Sequence, residues 1–245
     1  MLQIYGATDR GMVREANEDR FAGEVFDRWC GYAVVCDGMG GEIGGGIAAG
    51  IAAEEVRRMV ESSLRPHMEE RSLRLLLETA VAGANRAVYT RSEQNGGALR
   101  GMGSTLCAAL ISNGTALIAN VGDSRCYLLR NGTLTPMTED HTIVAKMMRQ
   151  GLLSPKEAAS HPDRHAITRA IGVEPEVLPD YTVVQLARGD TRLLCSVGLY
   201  NALPPDELSP LLADILNGGD IHTLIDRANA AGGPDNITAV LIHNR

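Results

Sequence analysis

The chain has 245 residues, 44% apolar and 22% charged, which excludes global disorder and allows a sizeable core. Its 23 Lys and Arg against 30 Asp and Glu leave a formal net charge of −7, which argues against nucleic-acid partners drawn by basic charge. No run of about 18 apolar residues occurs, so neither a membrane span nor a membrane partner is expected, and no basic–apolar leader opens the chain. The five cysteines, Cys30, Cys36, Cys107, Cys126 and Cys195, lie singly in apolar segments. That scatter predicts reduced, buried thiols and a cytoplasmic location.

In chain order, β-type apolar runs are predicted at Leu2–Ala7 and Tyr32–Cys36. A helix is expected over Ile47–Leu64. A second, over Leu73–Val88, carries Leu73, Leu76, Leu77, Ala80, Ala84 and Val88 in one stripe. Further runs at Thr105–Ile111, Ala116–Val121 and Arg125–Leu129 are joined by turns containing Asn113-Gly114 and Asn131-Gly132, both hairpin signals. Thr105 to Met137 therefore reads as one antiparallel meander. Ile143–Gln150 and Pro155–Ala159 read as short helices, the latter with Ser154 and Glu157 spaced as a capping box. Runs at Tyr181–Leu186, Arg192–Cys195 and Ile237–Ile242 enclose helices predicted at Pro205–Leu216 and Asp220–Ala231. Strands and helices are segregated, which indicates an α+β fold with helix pairs over both faces of a β sandwich. No linker or repeat divides the chain, so one domain, 1–245, is expected. The segment 141–172, with His141, His161 and His165, reads as a flap.

Carboxylates recur where apolar strands meet glycine or small residues: Asp37 before Gly38-Met39-Gly40-Gly41, Asp123 after Val121-Gly122, Asp235 after Gly233-Pro234, and Glu18-Asp19 after Arg14. Each alone reads equally well as a turn residue or a solvated charge. Brought together they would form a hard, oxygen-rich site for Mg²⁺ or Mn²⁺ rather than zinc. His161 and His165 lack cysteine companions and read as flap surface rather than a zinc pair. The glycines from Gly40 to Gly46 lack the Gly-Lys-Ser/Thr of a phosphate-cradling loop and read as a turn into the following helix.

In the order Gly11–Asp19, Asp37-Gly38-Met39-Gly40-Gly41, Gly103-Ser104-Thr105, Val121–Arg125, Leu134–His141, Ile167–Gly172 and Asp235-Asn236-Ile237-Thr238, the chain resembles the metal-dependent protein serine/threonine phosphatases of the PP2C, or PPM, family, in its bacterial branch. The resemblance implies a four-layer αββα sandwich of antiparallel sheets. It implies that Asp37 bridges two Mn²⁺ or Mg²⁺ ions, that the Gly38 carbonyl binds one of them, and that Asp235 binds the other. By the same resemblance Asp19, with Glu18 beside it, holds metal-bound waters, Asp123 helps bind a third, weaker ion, and Arg14 clamps the substrate phosphate. The reaction implied is attack on phosphoserine or phosphothreonine by a metal-activated water. Met39 stands where some members carry a histidine and cannot donate a proton. Phosphorylated proteins, with a Ser/Thr kinase and its substrates, are the implied partners.

One position departs from the family's pattern. Its Ser-Asp-Gly-Leu is here Ser196-Val197-Gly198-Leu199, so Val197 replaces an expected metal-ligand acid. Two dications about 4 Å apart repel by roughly 16 kcal/mol at an effective dielectric of 20, and carboxylates must offset that. The ion shared by Asp37 and Asp235 is therefore expected to bind weakly and activity to be impaired. The alternative is a pseudophosphatase, a phosphoprotein-binding regulatory module with weak or no turnover.

Overall fold

The computed structural model describes residues 1–94 and 99–245, and all their side chains except those at positions 42 and 43. One five-stranded sheet has the order β1 (Leu2–Asp9), β12 (Ile237–Asn244), β11 (Thr191–Cys195), β8 (Arg125–Arg130), β9 (Thr133–Pro136). The second runs β10 (Asp180–Gln185), β7 (Thr115–Val121), β6 (Leu106–Ser112), β3 (Cys30–Cys36), β2 (Arg20–Asp27). All pairings within both sheets are antiparallel. A small ribbon pairs β4 (Gly38–Met39) with β5 (Gly103–Ser104).

The two sheets pack face to face through Val35, Cys107, Ala109 and Ile118 on one side and Cys126, Leu128, Leu194, Val240 and Ile242 on the other. On the outer face of the second sheet, Val34, Ala108, Leu110 and Leu117 meet Ala52 and Val56 of α1 (Gly41–Ser63) and Leu73, Leu77 and Val88 of α2 (Glu70–Gln94). On the outer face of the first, Leu193, Ala239 and Leu241 meet α5 (Val197–Ala202), α6 (Pro205–Leu216) and α7 (His222–Ala230) through Leu199, Leu208, Leu212 and Leu224. The result is the expected αββα order of layers. Because both faces of β3 and β6 are covered, their sequences are continuous apolar runs rather than alternating ones. All five cysteines are buried and unpaired.

The stretch from Thr105 to Met137 is not one meander. The β6–β7 hairpin turns at Asn113 and Gly114 (φ +50° and +75°), and the β8–β9 hairpin at Asn131 and Gly132 (φ +53° and +77°), the left-handed pairs that tight hairpins require. Between β7 and β8, however, the chain leaves one sheet and enters the other. It does so at Gly122 (φ +98°), where a Cβ would lie 2.7 Å from the Thr105 methyl carbon. Asp123 sits in that crossing. Three further elements lack a clear sequence signal: β2, a half-exposed edge strand; the β4–β5 ribbon; and α5.

In segment 141–172, α3 (Ile143–Arg149) is capped by the Thr142 side chain and α4 (Pro155–Ala159) by the predicted Ser154–Glu157 box. The segment's base is anchored, not loose. His141 is buried, its Nδ1 accepts from the Gly122 N–H at 3.2 Å, and Thr142 bridges Ile167. Burial pushes the His141 pKa down, so a neutral imidazole with its Nε2 proton directed at Asp180 (3.1 Å) fits both contacts.

Candidate active site

The four acids singled out in the sequence come from the ends of separate elements: Asp19 just before β2, Asp37 after β3, Asp123 between β7 and β8, and Asp235 before β12. The charges of Asp19, Asp123 and Asp235 all act on Asp37, so the four acids lie near one another. Asp37 is half-buried and its pKa is raised well above the ordinary value, first by desolvation and then by the charges of Asp19, Asp123 and Asp235, with Arg14 opposing. Asp123, buried, is raised to about 6 by desolvation and by Asp140.

Asp19 is fully buried. Its Oδ2 accepts hydrogen bonds from Ser196 Oγ (2.6 Å) and Thr238 Oγ1 (2.7 Å), while Oδ1 has no partner. Desolvation raises its pKa to about 6; the two hydroxyls pull it down and Asp235 pushes it up. An unpartnered buried carboxylate oxygen is costly in an apolar surround and fits a site for a cation.

The backbone around Asp37 is tied at three points. Thr105 Oγ1 accepts from its N–H at 2.9 Å, and its carbonyl accepts from the Thr105 N–H (2.8 Å) and from Ser104 Oγ (3.0 Å). Thr105 is in turn bonded to Ser124 beside Asp123 (2.7 Å). A Cβ on Gly38 would collide with the Gly45 carbonyl and lie 2.8 Å from the Glu18 carbonyl oxygen, so glycine lets the first turn of α1 close against the site. Glu18 lies against the same turn, its Oε1 at 3.4 Å from the Gly46 N–H.

Arg14 is 54% exposed and reaches Asp235 Oδ1 through Nε at 2.8 Å. Its loop is fastened by Asn236, whose Nδ2 donates to the carbonyls of Arg10 and Ala16 (both 2.8 Å) and whose Oδ1 accepts from the Glu18 N–H (2.8 Å). Val197 opens α5, half-buried. Ser196, at the N-cap position, makes no cap bond because its hydroxyl serves Asp19 and the Thr238 N–H. A Cβ on Gly198 would collide with the Asn236 carbonyl and sit 3.4 Å from the Cβ of Asp235. The residue after Val197 thus packs against the Asp235–Asn236 stretch, and the Val197 side chain itself carries no oxygen.

Among the described residues, no three His, Cys, Asp or Glu side chains close on a single point. Asp235 is turned onto Arg14. His161 Nδ1 accepts from the Asp163 N–H at 3.1 Å. Ser196, Thr238, Asn236 and Thr105 had no assigned role in the sequence. Their only local signal is a hydroxyl or amide beside a strand end.

These features coincide with known proteins. The family model described as protein phosphatase 2C matches residues 12–223. The serine/threonine phosphatase stp of Listeria welshimeri is 39% identical over 239 residues, covering 96% of this chain and 93% of that protein. A serine/threonine phosphatase structure from S. agalactiae superposes with a TM-score of 0.89 at 30% identity, covering 100% of both chains. The catalytic domain of the serine/threonine protein phosphatase PstP, solved in complex with two manganese ions, superposes with a TM-score of 0.83 at 32% identity over 99% of this chain and 97% of that one. The layer order and these likenesses agree, and the chain belongs to the protein phosphatase 2C family.

Proposed function

We propose that this chain is a metal-dependent serine/threonine phosphatase that removes phosphate from phosphorylated proteins, the targets of a Ser/Thr kinase among them. What supports the proposal is the electrostatic proximity of Asp19, Asp123 and Asp235 to Asp37, with the Arg14 guanidinium paired to Asp235. Hard carboxylate oxygens, one of them buried and unpartnered, suit Mn²⁺ or Mg²⁺. Asp37 and the Gly38 carbonyl would hold one ion, Asp37 and Asp235 a second, and Asp123 would help hold a third. Glu18 and Asp19 would steady the waters around them. When bound, these ions supply Lewis-acid polarisation of the phosphate and a nucleophilic water at neutral pH.

The remaining work falls to the chain's own groups. Arg14 engages Asp235 through Nε, which leaves its two terminal nitrogens to grip a phosphate in fork geometry. Ser196 and Thr238 fix Asp19, and Thr105 and Ser104 fix the Asp37 backbone. The carboxylates stay put while charge moves at phosphorus, which is how a preorganised site lowers a barrier. Hydrolysis of p-nitrophenyl phosphate and a phosphothreonine peptide, with Mn²⁺ and with EDTA, tests the proposal. Activity that survives EDTA, or none with Mn²⁺ even after Val197→Asp, would refute it.

Val197 favours a second form of the same reading. With one acid fewer beside Asp235, the ion there binds weakly and turnover is slow, so the domain serves in part as a phosphoprotein-binding module. The segment 141–172 would act as a flap beside the cleft of a single 1–245 domain.

A further inference from the structure

A groove of about 340 Å³ is walled by Met39, Ile167, Val173, Val177 and Leu178. Its lining residue Met39 follows Asp37 by two residues, a span of about 7 Å in extended chain. Met39 and Val173 flank Gly103, where a Cβ would meet Met39 Cε at 2.7 Å and Val173 Cγ2 at 2.8 Å. Glycine at 103 thus lets these two side chains form one apolar floor. Leu178 (76% exposed) and Val173 (41% exposed) present large apolar surface to solvent at its edge.

The rim is acidic. Glu174 and Glu176 line the groove, both are exposed, and among the described residues neither side chain has a cationic partner. The one cation in the lining, Arg169, is spent on Asp180 (2.7 Å) and on the Leu178 carbonyl (3.0 Å). The rim is also held in place. The buried Asn85 side chain of α2 donates to the carbonyls of Glu174 and Pro175 (both 3.1 Å) and accepts from the Gly172 N–H (2.7 Å).

We infer that this groove receives the stretch of substrate flanking the phosphorylated residue, seating an apolar side chain on Met39, Val173 and Leu178 and a lysine or arginine against Glu174 and Glu176. The inference rests on the phosphatase function proposed above. The charge pattern selects the occupant: the cleft takes the dianionic phosphate, and the two unpaired acids beside it favour a basic neighbour over an acidic one. Asn85 is a positioning residue that holds the rim.

The test uses the full chain with Mn²⁺, p-nitrophenyl phosphate, and phosphothreonine peptides carrying a Leu-Lys, Leu-Glu or Ser-Lys pair within four residues of the phosphothreonine on either side. Fluorescence anisotropy of the labelled peptides gives binding independently of turnover. The Leu-Lys peptide is expected to bind, and to be hydrolysed by kcat/KM, about tenfold better than either of the others. Glu174→Lys with Glu176→Lys is expected to invert the Lys-over-Glu preference and to keep the Leu-over-Ser preference. Equal handling of the three peptides, or an unchanged charge preference in the folded double variant, would overturn the inference. Failure to hydrolyse p-nitrophenyl phosphate even after Val197→Asp, with the peptide preference intact in binding, would refute the phosphatase function and leave the groove assignment standing.

Discussion

Restoring an acid at position 197 should make metal and stability trade places. Position 197 precedes Gly198, which packs against Asp235 and Asn236, and the Asp235 side chain is 32% exposed. A carboxylate added at 197 and standing about 5 Å from Asp235 would cost about 3 kcal/mol at an effective dielectric of 20, and partial solvent access reduces this to roughly 1–2 kcal/mol. In EDTA, Val197→Asp should therefore melt below the parent chain by roughly 3–6 °C. A dication doubles the product of charges, so the same carboxylate gains about 2–4 kcal/mol with the ion bound, or roughly 30-fold to 10³-fold in affinity. With saturating Mn²⁺ the order of melting temperatures should reverse. Calorimetric titration should show one Mn²⁺ site tightened, and kcat/KM for p-nitrophenyl phosphate at limiting Mn²⁺ should rise at least about tenfold. Two tight Mn²⁺ ions in the parent chain with equal, high rates in both proteins would refute the argument. So would a variant more stable than the parent in EDTA.

Three further outcomes follow from the same geometry. Arg14→Ala should lower kcat/KM by roughly 10²-fold through loss of the phosphate fork, with Arg14→Lys recovering only part, measured on p-nitrophenyl phosphate with saturating Mn²⁺. Ser196→Ala removes a 2.6 Å donor from Asp19 and the acceptor of the Thr238 N–H, and should cost about 1–3 kcal/mol by urea unfolding in EDTA. Asp19 and Asp123 are each raised from 3.8 to about 6 in the folded chain, so the metal-free fold binds their protons more tightly than the unfolded chain does. Their stabilising contribution is full below pH 4 and lost as pH rises through about 6. Melts in EDTA should accordingly fall between pH 4.5 and 7.5, and Asp123→Asn should flatten that slope.

Periodicity in the sequence was enough for much of the scaffold. The apolar stripe of α2, the Ser154–Glu157 box and the two Asn-Gly turns act within a few residues, where backbone sterics and local hydrogen bonds decide the outcome. Asp37, Asp123 and Asp235 were also legible as acids beside apolar runs, whereas Arg14 was singled out only by the family resemblance. Sheet membership was not. The β7–β8 link reads locally like a third hairpin, and only packing against Thr105 sends it from one sheet to the other. Edge strand β2 and the six-residue α5 bury too little surface to leave a pattern.

Hidden in the same way were the groups that hold the acids still. Ser196, Thr238 and Asn236 act across sequence separations of 177, 219 and 218 residues. No local propensity encodes such contacts. They arise when β1, β12 and β11 align side by side and bring chain ends that are remote in sequence to one edge of the sandwich. Composition and short-range pattern thus specified which side chains carry the charge. Closure of the two sheets decided which carboxylate oxygen is pinned, which is left bare, and that Gly198, next to Val197, packs against the Asp235–Asn236 stretch.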